Sequence, residues 1–195
     1  MKPYLHILVI LCLLLGCKQS SNSAANEVVN EYDAAKSREL IRQVLDKEQK
    51  DYFFSSCMLE EAIPMYVFTN SNLNKEVAEE LDISNTIHLN EQIRLYDQFK
   101  ITPDLVPGKT ILTKQHLQEF EKKKPVGKSS WVLIESTCEE GYSYILKPIF
   151  NKDYTLAFVQ FGVNCGSYCG GGETQIYEYK DGKWIKIRTI SAWVE

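Results

Sequence analysis

The last third of this chain restricts its fold more than any other stretch. Ser130 to Ser136, Tyr142 to Leu146, Tyr154 to Val163, Glu173 to Lys180 and Lys183 to Ile190 are rich in β-branched and aromatic residues, and each run is bounded by Gly, Asn, Asp or Pro. Branched and flat side chains fit a pleated surface, so each run predicts a strand. Asp181-Gly182 separates the last two runs. Both residues tolerate positive φ, which the tight two-residue hairpin turn requires. Asn151-Lys152-Asp153 predicts a further hairpin turn. Short connections between about five strands predict an antiparallel β-meander.

The residues before it read differently. From Glu31 to about Phe54, Tyr32, Ala35, Leu40, Ile41, Val44, Leu45 and Tyr52 recur mostly three, four or seven apart among charged residues. That spacing puts the apolar groups on one helical face. Cys57 to Phe68 contains Pro64 and then Met65-Tyr66-Val67-Phe68, a turn into a short strand. Asn74 to Leu81 predicts a short acidic helix, and Ile93 to Phe99 fits either helix or strand. Pro103, Pro107 and Gly108 mark a loop, and Thr110 to Leu112 a brief strand. Thr113 is placed to cap a helix through Leu117 and Phe120 to Lys123, which Pro125 stops. N-terminal helices followed by a C-terminal meander give the α+β class, with no internal repeat.

One basic residue, Lys2, precedes an apolar stretch from Leu5 to Leu15 that ends in Leu14-Leu15-Gly16-Cys17. A spanning helix needs about 20 apolar residues, so this run is too short to cross a bilayer. It resembles the signal peptide and lipobox of a bacterial lipoprotein. The resemblance implies removal of residues 1–16, acylation of Cys17, and a lipid-tethered location outside the cytosol. More than one acyl chain makes a stable anchor where a single one is marginal. The polar stretch Lys18 to Asn26 then reads as a flexible tether over 17–30, ahead of a single globular domain over 31–195. In the lipoproteins of the Bacteroidetes that this chain resembles, acidic residues just after the cysteine tend to mark export to the surface. Their absence from Gln19 to Ser23 favours the outer membrane, facing the periplasm. The net charge of −4 argues against a nucleic-acid partner, which calls for a basic face.

Of the six cysteines, Cys12 and Cys17 belong to the signal region, leaving Cys57, Cys138, Cys165 and Cys169. An even number in an oxidising compartment reads as disulfides, with three possible pairings. We expect Cys165 with Cys169, closing a tight loop, and Cys57 with Cys138, tying the helical part to the C-terminal sheet. Three residues separate Cys165 from Cys169, so this is not the Cys-x-x-Cys spacing of a thiol oxidoreductase.

The other candidate motifs carry little chemistry. Gly127-Lys128-Ser129 matches the end of a phosphate loop, but the glycine required five residues earlier is Lys122, and a strand is expected to follow. His88 with Glu91 and His116 with Glu119 each place a carboxylate three residues after a histidine, which on a helix would share a face. A metal would need more ligands than these, and none is expected. Neither a Gly-x-Ser-x-Gly elbow nor a cofactor motif occurs. The adjacent pairs Glu60-Glu61, Glu79-Glu80 and Glu139-Glu140 read as solvated charge. Gly170-Gly171-Gly172 reads as a wide loop needing positive φ after a disulfide, with a backbone nest for an anion as the sharper alternative. Tyr142, Tyr144, Phe158, Phe161, Tyr177, Tyr179 and Trp184 read as packing rather than a sugar platform.

Lys147-Pro148-Ile149-Phe150, the strand ending Phe158-Val159-Gln160-Phe161, the Cys165 to Gly172 segment and Asp181-Gly182-Lys183-Trp184 form an ordered series. This series resembles uncharacterised lipoproteins of the Bacteroidetes over residues 142–190. It implies a shared fold piece and transfers no catalytic residue. Asp181 to Trp184 is also similar to the last hairpin of nuclear-transport-factor-like cones, the alternative fold. The leading expectation is a non-catalytic envelope module that binds a protein or a small ligand. Its candidate binding loop is Gly166, Tyr168, Gly170, Gly171 and Gly172. A periplasmic hydrolase of envelope polymers, with acids in a sheet-mouth cleft, and an immunity-like inhibitor are the competing expectations. Oligomeric state is not legible.

Overall fold

The structure, a computed structural model, describes residues 30–61, 71–96, 98–166 and 168–195. The signal run, Cys17, the tether up to residue 29 and the expected strand at Met65 to Phe68 lie outside the described residues. The chain divides into two compact units, Met1–Lys36 and Ser37–Glu195. In the first, residues 30–36 are helical, as the opening of helix α1 (30–47). The second holds the rest of α1 and every other described element.

In order these are β1 (Cys57–Leu59), α2 (Ser71–Glu80), α3 (Thr86–Tyr96), β2 (Thr110–Leu112), α4 (Lys114–Lys123) and α5 (Trp131–Thr137). β3 (Tyr142–Ile145), β4 (Ile149–Phe150), β5 (Leu156–Gly166), β6 (Cys169–Lys180) and β7 (Lys183–Val194) complete the chain. The fold is α+β, with helices ahead of a mostly antiparallel sheet. Among the described residues the sheet has seven strands in the order β2-β1-β3-β5-β6-β7, with β4 pairing β5 off this path. From β3 onward the pairing is antiparallel, whereas β1 lies parallel to both β2 and β3.

Local chemistry accounts for the turns. Asp181 and Gly182 adopt φ of 52° and 77°, so the β6–β7 connection has both central residues left-handed. That backbone twist matches the twist of the flanking strands. In the β4–β5 connection, Asn151 Oδ1 accepts from the amides of Thr155 at 2.8 Å and Leu156 at 3.0 Å. Thr113 caps α4 reciprocally. Its hydroxyl accepts from the His116 amide at 3.2 Å, and His116 Nδ1 accepts from the Thr113 amide at 3.3 Å. Together they satisfy amides that a helix start leaves without partners.

Alternation along β5 builds a core on each face of the sheet. Ala157, Val159 and Phe161 join Leu40, Ile41 and Val44 of α1 with Phe53, Tyr177 and Trp184. Phe158 points the other way, to Val77 of α2, Leu81 just after it, Leu89 of α3, and Ile176. A third cluster holds Cys57, Leu59, Leu112, Ile134 and Cys138. Each fully buried aliphatic or aromatic side chain of this kind contributes about 1.5–3 kcal/mol.

Three expectations need correction. Ser130 to Ser136 is not a strand: Trp131–Thr137 is helix α5. Its β-type composition is overridden by packing, because Trp131 and Ile134, three apart, both reach the third cluster. Cys57–Leu59 is a strand rather than a turn, buried at all three positions between two neighbours. The helix expected to reach Phe54 ends at residue 47 and gives way to turns, which fold Phe53 back into the core.

Candidate functional site

Cys57 is joined to Cys138 with Cα atoms 5.4 Å apart, and Cys165 to Cys169 with Cα atoms 5.0 Å apart. Cys138 follows the last turn of α5 and accepts no place in a strand, so the longer bridge fastens β1 to a helix end rather than to the C-terminal sheet. The shorter bridge closes the end of the β5–β6 hairpin, where Gly166 faces Cys169. Tyr168 stands on this turn 93% exposed.

The three glycines that follow are not a loop. Gly170, Gly171 and Gly172 lie in β6 opposite Asn164, Val163 and Gly162 of β5, and Gly171 and Gly172 also pair Val194 and Trp193 of β7. None of the three has positive φ. Ladder pairing on both sides of the strand overturns both the wide-loop and the anion-nest expectations, since a nest needs amides converging on open space.

What demands glycine here is an aromatic surface. A Cβ on Gly172 would sit 2.6 Å from Trp193 Nε1 and 2.6 Å from the Phe161 carbonyl oxygen; one on Gly170 would sit 3.3 Å from the Trp193 ring. A Cβ on Gly162 would sit 2.4 Å from the Gly171 carbonyl oxygen and 2.7 Å from the Tyr144 hydroxyl, so the neighbouring backbone as well as the ring requires glycine there. Trp193 thus lies on Gly170 and Gly172, while Tyr144 lies on Gly162 and hydrogen-bonds Trp193. Trp131 of α5 packs on Tyr142 with ring centres 5.7 Å apart, and its indole nitrogen approaches Gly166. Burial pushes the Tyr144 hydroxyl up to about 12 and raises Tyr142 as well. These half-buried aromatics form a firm base beneath the stapled turn. Trp131 and Trp193 were missed as site residues, and nothing local in the sequence marks them. The other aromatics singled out, Phe158, Phe161, Tyr177 and Trp184, are buried core groups.

Most of the titratable candidates are engaged in structural bonds. His88 Nε2 donates to the Phe150 carbonyl at 2.8 Å, and Glu91 binds Arg94 through both oxygens at 2.6 and 2.9 Å. The Arg94 contact holds the Glu91 carboxyl below its ordinary value. Glu119 accepts from Gln115 and Lys123, and His116 caps its own helix. Glu60 and Glu61 share Lys100 at 3.2 and 2.7 Å. Glu80 pairs with Arg188 and Glu79 with Lys75. Among the described residues no three His, Cys, Asp or Glu converge as a metal site. A helix does follow Gly127-Lys128-Ser129, contrary to expectation, but helix α4 precedes it, where a phosphate loop needs a strand.

Glu173 of β6 is a highly connected carboxylate. It accepts from the Tyr52 hydroxyl at 3.0 Å, Gln175 Nε2 at 2.6 Å and the Thr189 hydroxyl at 3.2 Å, with Lys186 at 3.6 Å. Burial works to raise its pKa, and these hydrogen bonds and the Lys186 charge outweigh it, so the carboxyl is held low. A general acid needs the opposite shift. No known protein family, characterised protein or solved structure matches the chain.

Proposed function

We propose that the chain is a lipid-anchored protein of the bacterial envelope whose folded unit binds a protein partner through the stapled β5–β6 turn. One observation carries the reading: Tyr168 is 93% exposed on a turn closed by the Cys165–Cys169 bridge. An aromatic side chain presents a large contact area with few rotatable bonds, and tyrosine is enriched among residues that dominate binding energy. A covalent closure beneath it lowers the ordering cost of association. The aromatic base of Trp131, Tyr142 and Trp193 further limits movement of the turn. The non-catalytic reading draws support from Glu173, whose acidity is strengthened rather than weakened.

The anchor at Cys17 and the placement at the outer membrane, facing the periplasm, rest on the sequence of the signal run. Among the described residues no helix is long and apolar enough to cross a membrane. Kinship with the Bacteroidetes lipoproteins likewise rests on the ordered series from Lys147 to Trp184.

A photo-crosslinking amino acid placed at position 168 tests the binding surface in intact cells. Lys152, exposed at the opposite end of β5, serves as the control position. An adduct formed from position 168, missing from position 152 and lost in Cys165→Ser, is the expected result. Identical adducts from both positions, or none from either, would remove the turn as the binding element. Labelled fatty acid incorporated by the native chain but not by Cys17→Ala checks the anchor.

A further inference from the structure

We infer that the cavity between α1 and the Leu105–Lys109 segment binds a small monocarboxylate with an apolar body, and that Lys109 contacts its carboxylate. The cavity is a cleft open to solvent on one side and measures about 380 Å³, within the lower range for small-molecule sites. Leu45, Phe53, Leu105 and Val106 line it with hydrocarbon, and the last three are buried core residues. Lys109 and Arg42 bring positive charge to the same walls.

Lys109 is the unusual group. Its ammonium donates to the Phe53 carbonyl at 2.6 Å and to that of Ser55, and no carboxylate ion-pairs with it among the described residues. An ammonium carries three donors, so two carbonyls leave one unused. Burial lowers the Lys109 pKa, the mark of a partly desolvated cation with no counter-charge. A carboxylate entering the cavity supplies that charge.

Arg42 pairs with Asp104 and can be spared to assist. Its contact with Asp104 is 3.3 Å, and Asp104 also has Arg38 at 3.5 Å and the Thr102 hydroxyl at 2.5 Å. Asp104 therefore keeps partners if Arg42 turns toward a ligand. The acids Asp46 and Asp104 on the same walls disfavour a multiply charged anion such as a phosphate. One negative charge on a hydrophobic body is what this lining complements. The site is remote in sequence from the Tyr168 turn, and the inference does not rest on the proposed protein-binding surface.

The test is calorimetric titration of the full-length chain in nanodiscs with 3-phenylpropanoate, subtracting empty nanodiscs. The neutral analogue 3-phenylpropan-1-ol and the dianion phenyl phosphate are run in parallel. Saturable binding of the carboxylate, weakened about tenfold or more in both analogues and in Lys109→Met, is expected for a charge-assisted contact. Leu45→Trp fills the cavity while leaving Lys109 in place and is expected to abolish binding; Tyr168→Ala is expected to leave it unchanged. Absence of saturable carboxylate binding overturns the inference, as does equal binding of the alcohol or undiminished binding in Leu45→Trp. If Lys109→Met fails to fold, Leu45→Trp and the alcohol decide between these results.

Discussion

Gln43 and Trp184 are 141 residues apart in sequence and share two hydrogen bonds: the Trp184 amide donates to Gln43 Oε1 at 3.1 Å, and Gln43 Nε2 donates to the Trp184 carbonyl. Trp184 lies on β7, an outer strand of the sheet. One side-chain amide from α1 therefore stands where a further strand would, serving both backbone groups of one edge residue. The same device recurs at β4. There the Phe150 amide donates to Gln92 Oε1 at 3.0 Å and the Phe150 carbonyl accepts from His88 Nε2 at 2.8 Å, both from α3. Backbone groups withdrawn from water need such partners.

Removing Gln43 strands that amide and carbonyl. Gln43→Leu is expected to destabilise the chain by about 1–3 kcal/mol, the usual cost of leaving a partly buried polar group unpaired. Urea unfolding at neutral pH measures it. Gln92→Leu is expected to cost at least as much, because Gln92 is fully buried and also accepts from Lys147 Nζ at 3.4 Å. A midpoint unchanged in both variants would contradict the strand-surrogate account.

Which parts of this arrangement were readable in the sequence follows from how local their causes are. The Asp181-Gly182 turn and the Thr113 cap depend on residues within a few positions of each other, and both stand as expected. The α5 helix was not readable, because the partners that select it, Tyr142 and the buried Cys57–Cys138 bridge, lie elsewhere in the chain. The glycine run misled for the same reason. Glycine in isolation signals a turn, but here the Trp193 ring, contributed by β7, occupies the space that side chains on Gly170 and Gly172 would take. Tyr168 could be singled out as a loop residue; the aromatic base under it could not.

That packing makes the glycines unequal. Gly172→Ala forces a Cβ to within 2.6 Å of the Phe161 carbonyl oxygen, a backbone atom held by the sheet, as well as of the Trp193 ring. It is expected to cost about 1–3 kcal/mol, as overpacked cores do. At Gly171 the nearest atoms are the Trp193 carbonyl oxygen at 3.4 Å and Tyr52 Cε1 at 3.7 Å. Gly171→Ala is therefore expected to be near neutral, helped by the lower backbone freedom of alanine in the unfolded chain. Thermal unfolding of the two variants side by side gives the comparison, and equal losses would count against the aromatic cover.

The two bridges are expected to differ in the same measurement. Cys57 and Cys138 are 81 residues apart, whereas Cys165 and Cys169 are 4 apart. In the chain-entropy account the long loop stabilises by about 4.5 kcal/mol and the short one by about 2 kcal/mol. Cys57→Ala/Cys138→Ala is thus expected to lower the unfolding midpoint far more than Cys165→Ala/Cys169→Ala. The latter pair is expected to keep the fold and to lose the crosslink formed from position 168.

Glu173 and Tyr52 set opposite pH limits. Glu173 is held below its ordinary value, so the folded chain binds fewer protons there than the unfolded chain does. Its contribution is present above the unfolded pKa and is lost as pH falls through the folded one. Tyr52 moves the other way. Burial first, then its hydrogen bond to Glu173, raise it to about 12 from an ordinary 10. The folded chain keeps the phenolic proton longer, so that contribution is present below pH 10 and is lost as pH rises from 10 toward 12. Tyr144, also raised to about 12, adds to the alkaline loss. Stability measured by urea unfolding across pH is therefore expected to fall at both ends. Glu173→Gln should make the acid limb shallower, and Tyr144→Phe the alkaline limb. An acid limb identical in native chain and Glu173→Gln would show that the carboxylate network is not what the fold loses in acid.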